Sequence, residues 1–97
     1  MKVRFTPRAL LEAEKMKTWW HENRPVAPDL FDDEMAIAVE RMRTSPTVAP
    51  AYPSSFGRKV RRVLMPRTKN HIYYTVRKDE IVVLSVWGAP RGKGPKL

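Results

Sequence analysis

The sequence predicts an α+β fold: an N-terminal strand, an antiparallel helix hairpin, then a three-strand antiparallel meander forming one small sheet packed against the helices. Three observations predict it. Through two stretches of the first half, apolar residues recur at three- and four-residue steps, the period of a helix with one buried face. After Arg58 the pattern changes to strand-like runs, and two of them, His71 to Val76 and Ile81 to Trp87, flank the short polar link Arg77-Lys78-Asp79-Glu80, as a hairpin does. The length of 97 residues suits a single domain, 1–97, around one modest core.

Each element has its own justification. Lys2 to Phe5 alternates polar and apolar residues, the period of a half-buried strand. Thr6 is placed to cap a helix, and Pro7 follows at the first helical position, where a missing N–H leaves nothing unpaired. Leu10, Ala13, Met16 or Lys17, and Trp20 then mark an apolar face, with Ala9 and Trp19 beside it, and Asn23-Arg24-Pro25 ends the helix. A second helix is predicted from near Pro28. Asp29, Asp32, Asp33 and Glu34 crowd its first turns and Arg41 and Arg43 its last, the distribution that the helix macrodipole favours. Its buried stripe is expected at Phe31, Met35, Ala38 and Met42, with Leu30 and Ile37 alongside. The link Pro25 to Ala27 is short enough to turn the second helix back on the first.

Thr44 to Gly57 holds Pro46, Pro50 and Pro53 and no periodicity, so it is expected to be a loop, pinned by Tyr52 and Phe56. Val60 to Met65 is the first strand of the meander and leads through Pro66-Arg67-Thr68-Lys69-Asn70 into the second. In that second strand Ile72, Tyr74 and Val76 share one face and His71, Tyr73 and Thr75 the other; in the third, Val82, Leu84 and Val86 oppose Ile81, Val83, Ser85 and Trp87. The more apolar faces should meet the helices, leaving His71, Tyr73, Thr75 and Ser85 for an open face. Arg61 and Arg62 compete for that face. The tail, residues 88–97, is rich in Gly, Pro and Lys/Arg and is expected to be flexible.

Charge is divided along the chain. Residues 1–48 carry eight Lys/Arg and eight Asp/Glu, whereas residues 49–97 carry eleven against two, so the whole formal charge of +9 belongs to the meander and tail. Such segregation offers a positive face to a polyanion, an acidic protein or a membrane surface. Without cysteine, disulfide and thiolate chemistry are excluded. No stretch has the length of a secretory or membrane-spanning segment, which leads to the expectation of a soluble cytoplasmic protein.

The arginine-rich strand VRRVLMPRTKNHIYYTV, the closing segment IVVLSVWGAPRGKGPKL and the opening FTPRALLEAEKMKTWW together resemble the RelE/ParE toxin superfamily, and the resemblance covers nearly the whole chain. It implies the toxin of a type II toxin–antitoxin system, partnered by an antitoxin whose amphipathic, acid-rich segment covers the helix pair or the meander. It implies one of two activities, ribosome-dependent messenger RNA cleavage or poisoning of DNA gyrase, and a non-toxic binding module of the same fold is a third possibility. For the nuclease, Arg61, Arg62 and Arg91 match the basic positions of the RelE-like pattern. Arginine stabilises a phosphorane but stays protonated, so it is a poor acid or base. After Trp87 there is no Tyr, His, Asp or Glu, a departure from that pattern, and His71 and Tyr73 replace the missing group only if they face the same side as the arginines. Target binding is assigned to Arg61, Arg62, Arg67, Lys69, Trp87, Arg91 and Lys93. Gyrase poisoning is the favoured activity.

No metal or cofactor is expected. The two histidines lie 50 residues apart, the acidic run from Asp29 is read as helix N-terminal charge, and no Gly-rich loop opens a helix after a strand. Trp19 and Trp20 are read as core and rim of the helix pair rather than as a stacking platform.

Overall fold

The computed structural model describes residues 1–54, 57–88 and 94–97. Its elements are β1 (Lys2–Phe5), α1 (Pro7–Asn23), α2 (Leu30–Thr44), β2 (Ala51–Tyr52), β3 (Val60–Met65), β4 (Asn70–Arg77) and β5 (Glu80–Gly88). The α+β class is as expected. The sheet is larger than expected and mixed: five strands in the order β1-β5-β4-β3-β2, with β1 parallel to β5 and the other pairs antiparallel. A parallel neighbour needs a long crossover, and the helix hairpin between β1 and the meander supplies it.

The Thr6 hydroxyl accepts the amide of Ala9 at 3.1 Å and Pro7 opens α1, as the sequence indicates. The buried face is turned slightly from its expected phase. Ala9, Ala13, Met16 and Trp20 pack inward, while Leu10 is 53% exposed. In α2 the stripe is Phe31, Ala38 and Met42 with Met35 beside it, and Ile37 points out. Between the helices, Lys17 pairs with Asp32 at 3.6 Å and His21 with Asp29 at 3.7 Å. One partner advances as the other retreats, which is the mark of an antiparallel pair.

The Pro-rich segment is not only a loop. Ala51 and Tyr52 pair with Arg61 and Val60 as an edge strand, two residues long between Pro50 and Pro53, and prolines at an edge are a common way to stop further pairing. Tyr52 does anchor it; Phe56 lies outside the described residues.

Two features overturn the expected facing of the meander. First, Tyr73 pairs with Ser85 but Tyr74 with Val83, so Leu84 is an extra residue, a bulge that shifts the alternation of β5 by one. Val86 therefore joins Ile81 and Val83 against the helices, with Ile72, Tyr74 and Met65, while Leu84 stays with Val82 on the second face. Second, that face is covered. Leu97 is buried against Val60, Tyr73, Val82 and Leu84, flanked by Tyr52 and Trp87. The last four residues are held by Tyr52 Oη donating to the Pro95 carbonyl at 3.0 Å, Ser54 Oγ to Leu97 O at 2.7 Å and Arg8 Nη1 to Lys96 O at 3.2 Å. Tyr73, Thr75 and Ser85, expected on an open face, are buried, Tyr73 by this tail, while the Thr75 hydroxyl donates to the Lys59 carbonyl and the Ser85 hydroxyl to Glu12; His71 is half-buried.

Candidate functional site

The predicted site residues fall into separate groups. On β3, Arg61 stands with Val63 and Met65 on the helix side, where its Nη1 donates to the Ala49 carbonyl at 2.7 Å. Arg62, opposite Tyr73, stands on the second face. Its guanidinium lies 5.8 Å from the Tyr52 ring, whose centroid is 4.6 Å from Tyr73, and Tyr73 is 6.0 Å from His71. Trp87 pairs with His71 across β4 and β5, with Arg8 6.0 Å from its ring. The sheet thus gathers Arg62, His71, Tyr73 and Trp87, separates them from Arg61, and leaves Arg91 and Lys93 outside the described residues.

Burial sets the electrostatics of this cluster. It pushes the His71 pKa down, and the Arg62 charge adds to the effect, so the imidazole is neutral at pH 7. Burial pushes the Tyr73 phenol up, against the Arg62 hydrogen bond that favours its ionised form; Tyr52 adds to the rise and the Arg62 charge again opposes it. A neutral imidazole, a protonated phenol and a fixed cation are the ingredients of proton transfer near a phosphate. Tyr73, however, is 1% exposed beneath Tyr52 and Leu97.

Arg67 and Lys69 belong to the β3–β4 turn, and the residue that positions them is Glu34 of α2. The residue is 6% exposed, and its carboxylate accepts the amides of Arg67 at 2.7 Å and Thr68 at 2.9 Å and the Thr68 hydroxyl at 2.7 Å. Burial alone would raise its pKa, but the Thr68 hydroxyl, the two amides and then the Arg67 charge bring it below the ordinary carboxylate value. Lys69 is held at φ 61°, a left-handed conformation uncommon for lysine. The sequence carries a signal for this clasp. Glu34 falls in phase with Phe31, Ala38 and Met42, and a carboxylate on a buried stripe must find donors. Glu12 is a second such residue. Beyond Phe5, where β1 stops covering β5, its Oε1 accepts the Ser85 hydroxyl at 2.8 Å and the Val86 amide at 3.1 Å.

Across from that turn lies a cleft of about 630 Å³ lined by Lys15, Met16, Trp19, Trp20, Arg24, Arg67, Thr68, Lys69, Asn70 and Gly88. A second groove, about 490 Å³, runs between α2 and β3 past Met42, Val48, Val63, Leu64 and Tyr74, with Arg41 and Arg62 in its lining. His21, Asp29 and Asp32 bring potential metal-ligand atoms within 4.8 Å of one another at the helix turn, but they are largely solvent-facing and already engaged in the helix-to-helix pairs. No helix among the described residues is long and apolar enough to cross a membrane.

No family model matches the sequence, and no curated protein matches it either. Among solved structures, the fold is similar to that of a chain in "Chromosomal ParDE TA system from P. aeruginosa", with a TM-score of 0.73 over 91% of this chain and 95% of that one, at 16% identity.

Proposed function

We propose that this chain is the toxin of a type II toxin–antitoxin pair and that it arrests growth in the cytoplasm by binding DNA gyrase, with no chemistry of its own. The shared fold with a ParDE component supports the first part. The observation that carries the second is the closure over Tyr73. A general acid must come within hydrogen-bond reach of its substrate, and this phenol lies under Tyr52 and Leu97. The antitoxin is a protein with an acid-rich amphipathic segment. The groove between α2 and β3, apolar along its floor and bordered by Arg41 and Arg62, fits such a segment, which also neutralises part of the +9 charge.

One observation favours ribosome-dependent RNA cleavage as a second reading. Arg62, His71 and Tyr73 face the same way, the condition that cleavage required of them. Two assays separate the readings. Purified gyrase is expected to lose supercoiling activity when the protein is added, and an unaffected assay counts against gyrase as the target. Primer extension on messages from induced cells is expected to show no codon-spaced cuts, and clear cuts at the ribosomal A site would move the assignment to the nuclease. Normal growth of induced cells with abundant folded protein removes both and leaves a binding module. Arg91→Ala is expected to reduce toxicity with the fold intact, as seen by circular dichroism.

A further inference from the structure

We propose that the cleft between α1 and the β3–β4 turn is a binding site for single-stranded nucleic acid, with a base against Trp19 and the neighbouring phosphates against Arg67 and Lys69. The site lies on the helix side of the sheet, the opposite face from Arg62, His71 and Tyr73, and does not depend on the toxin assignment.

Its chemistry is the reason. Among the described residues the lining contributes four cations, Lys15, Arg24, Arg67 and Lys69, and no carboxylate. Glu34, the nearest acid to the turn, is buried behind it with both oxygens engaged, so it orders the cations without presenting its charge to a ligand. The aromatic component is unusually open for a core helix: Trp19 is 43% exposed, while its neighbour Trp20 packs inward. The two indoles meet edge to face at 5.7 Å, and the Arg24 guanidinium lies 4.9 Å from the Trp19 ring and 5.7 Å from that of Trp20. Aromatic faces beside a basic track are how proteins bind single strands, because every base has a π-face and every nucleotide a phosphate. A third observation concerns the lining itself. Asn70 is 1% exposed; its Nδ2 donates to the Thr68 carbonyl at 3.3 Å, and its Oδ1 is the one buried side-chain polar atom without a partner among the described residues. Gly88 is next in the lining, and a Cβ there would stand 4.0 Å from that oxygen, so the oxygen lies just behind the cleft wall with its hydrogen-bonding capacity unused.

The turn is built before any ligand arrives. Three bonds from Glu34 and the Lys69 amide on the Met65 carbonyl at 2.9 Å fix its backbone, so little ordering remains to be done on binding.

The test is fluorescence anisotropy of the full chain with a labelled oligothymidylate of about 12 nucleotides, a length within the usual site size of single-strand binders. Trp19→Leu is expected to weaken binding roughly tenfold and to remove most of the tryptophan quenching seen with the wild type. The double variant Arg67→Ala with Lys69→Asn, in which asparagine tolerates the left-handed backbone, is expected to lower the salt slope by about 1.4, the loss of two phosphate contacts. The control Lys2→Ala with Arg77→Ala removes the same charge from a cluster around the β4–β5 turn and is expected to change affinity far less. An equal loss in the control reduces the effect to net charge and overturns the site. So does undiminished quenching in Trp19→Leu, provided that circular dichroism shows both variants folded. An oligoglutamate of matched charge that binds as tightly, with the same dependence on Trp19, makes the occupant an acidic peptide and overturns the nucleic acid.

Discussion

At Glu34 a single carboxylate holds three donors, and what it does depends on its charge. Its pKa is lower in the folded chain than in the unfolded one, so its stabilisation is complete above about pH 4.5 and is lost as pH falls through the folded value. Glu34→Gln is expected to destabilise the protein by about 2 kcal/mol at pH 7, since an amide keeps only part of the clasp and turns an NH₂ toward buried donors. As pH falls below 4.5 the gap between variant and wild type should narrow, which urea denaturation at several pH values measures. His71 allows a second check. Arg62→Ala is expected to raise its pKa only part of the way to the ordinary value, because burial is the larger cause and the arginine the smaller. An NMR titration of the imidazole reads the shift directly. Residue roles were legible in the sequence where a position had one conspicuous property, as the capping Thr6 did. They were not legible where two properties competed. The acidic run from Asp29 explained Glu34 well enough as helix N-terminal charge to hide its place on the buried stripe.

At the scale of elements, both helices and the three long strands could be read from periodicity, because each buries one face and repeats accordingly. What escaped had no period to show. The two residues of β2 are too few to alternate, and the bulge at Leu84 leaves the composition of β5 unchanged while turning its later side chains over. The segment 94–97 escaped for a different reason: its glycine and proline content describes a chain with little intrinsic structure, while its docking depends on one leucine and three hydrogen bonds to distant residues. Two predictions belong here. Thr6→Ala is expected to cost about 1 kcal/mol, or roughly 4–8 °C in Tm for a domain of this size, measured by thermal unfolding. At Gly94 an added Cβ would collide with the Tyr52 hydroxyl, so Gly94→Ala is expected to unseat Leu97 and expose Tyr73. Faster hydrogen exchange at the β4 amides around Tyr73, with the helices unchanged, is the outcome that checks it.

Across the whole molecule, one sheet separates two unlike surfaces. The helix side is a conventional core, and the other side is an apolar patch closed by four residues of tail, with cations around it. The charge division in the sequence foretold that the sheet half would be the basic one. It did not foretell that Arg61 and Arg62 would part company, or that Arg67 and Lys69 would face the tryptophans, because both depend on contacts between distant parts of the chain. The parallel pairing of β1 with β5 is the longest-range strand pairing among them: Lys2 meets Glu80 and Phe5 meets Val83. During synthesis, which runs at roughly 5–20 residues per second from the N-terminus, β1 has no strand partner until β5 has left the ribosome. Nascent chains stalled short of Glu80 outside the exit tunnel are therefore expected to remain protease-sensitive, and those carrying β5 outside it to become resistant. The sheet is therefore completed only when β5 emerges, and anything that binds the finished sheet must wait for that moment.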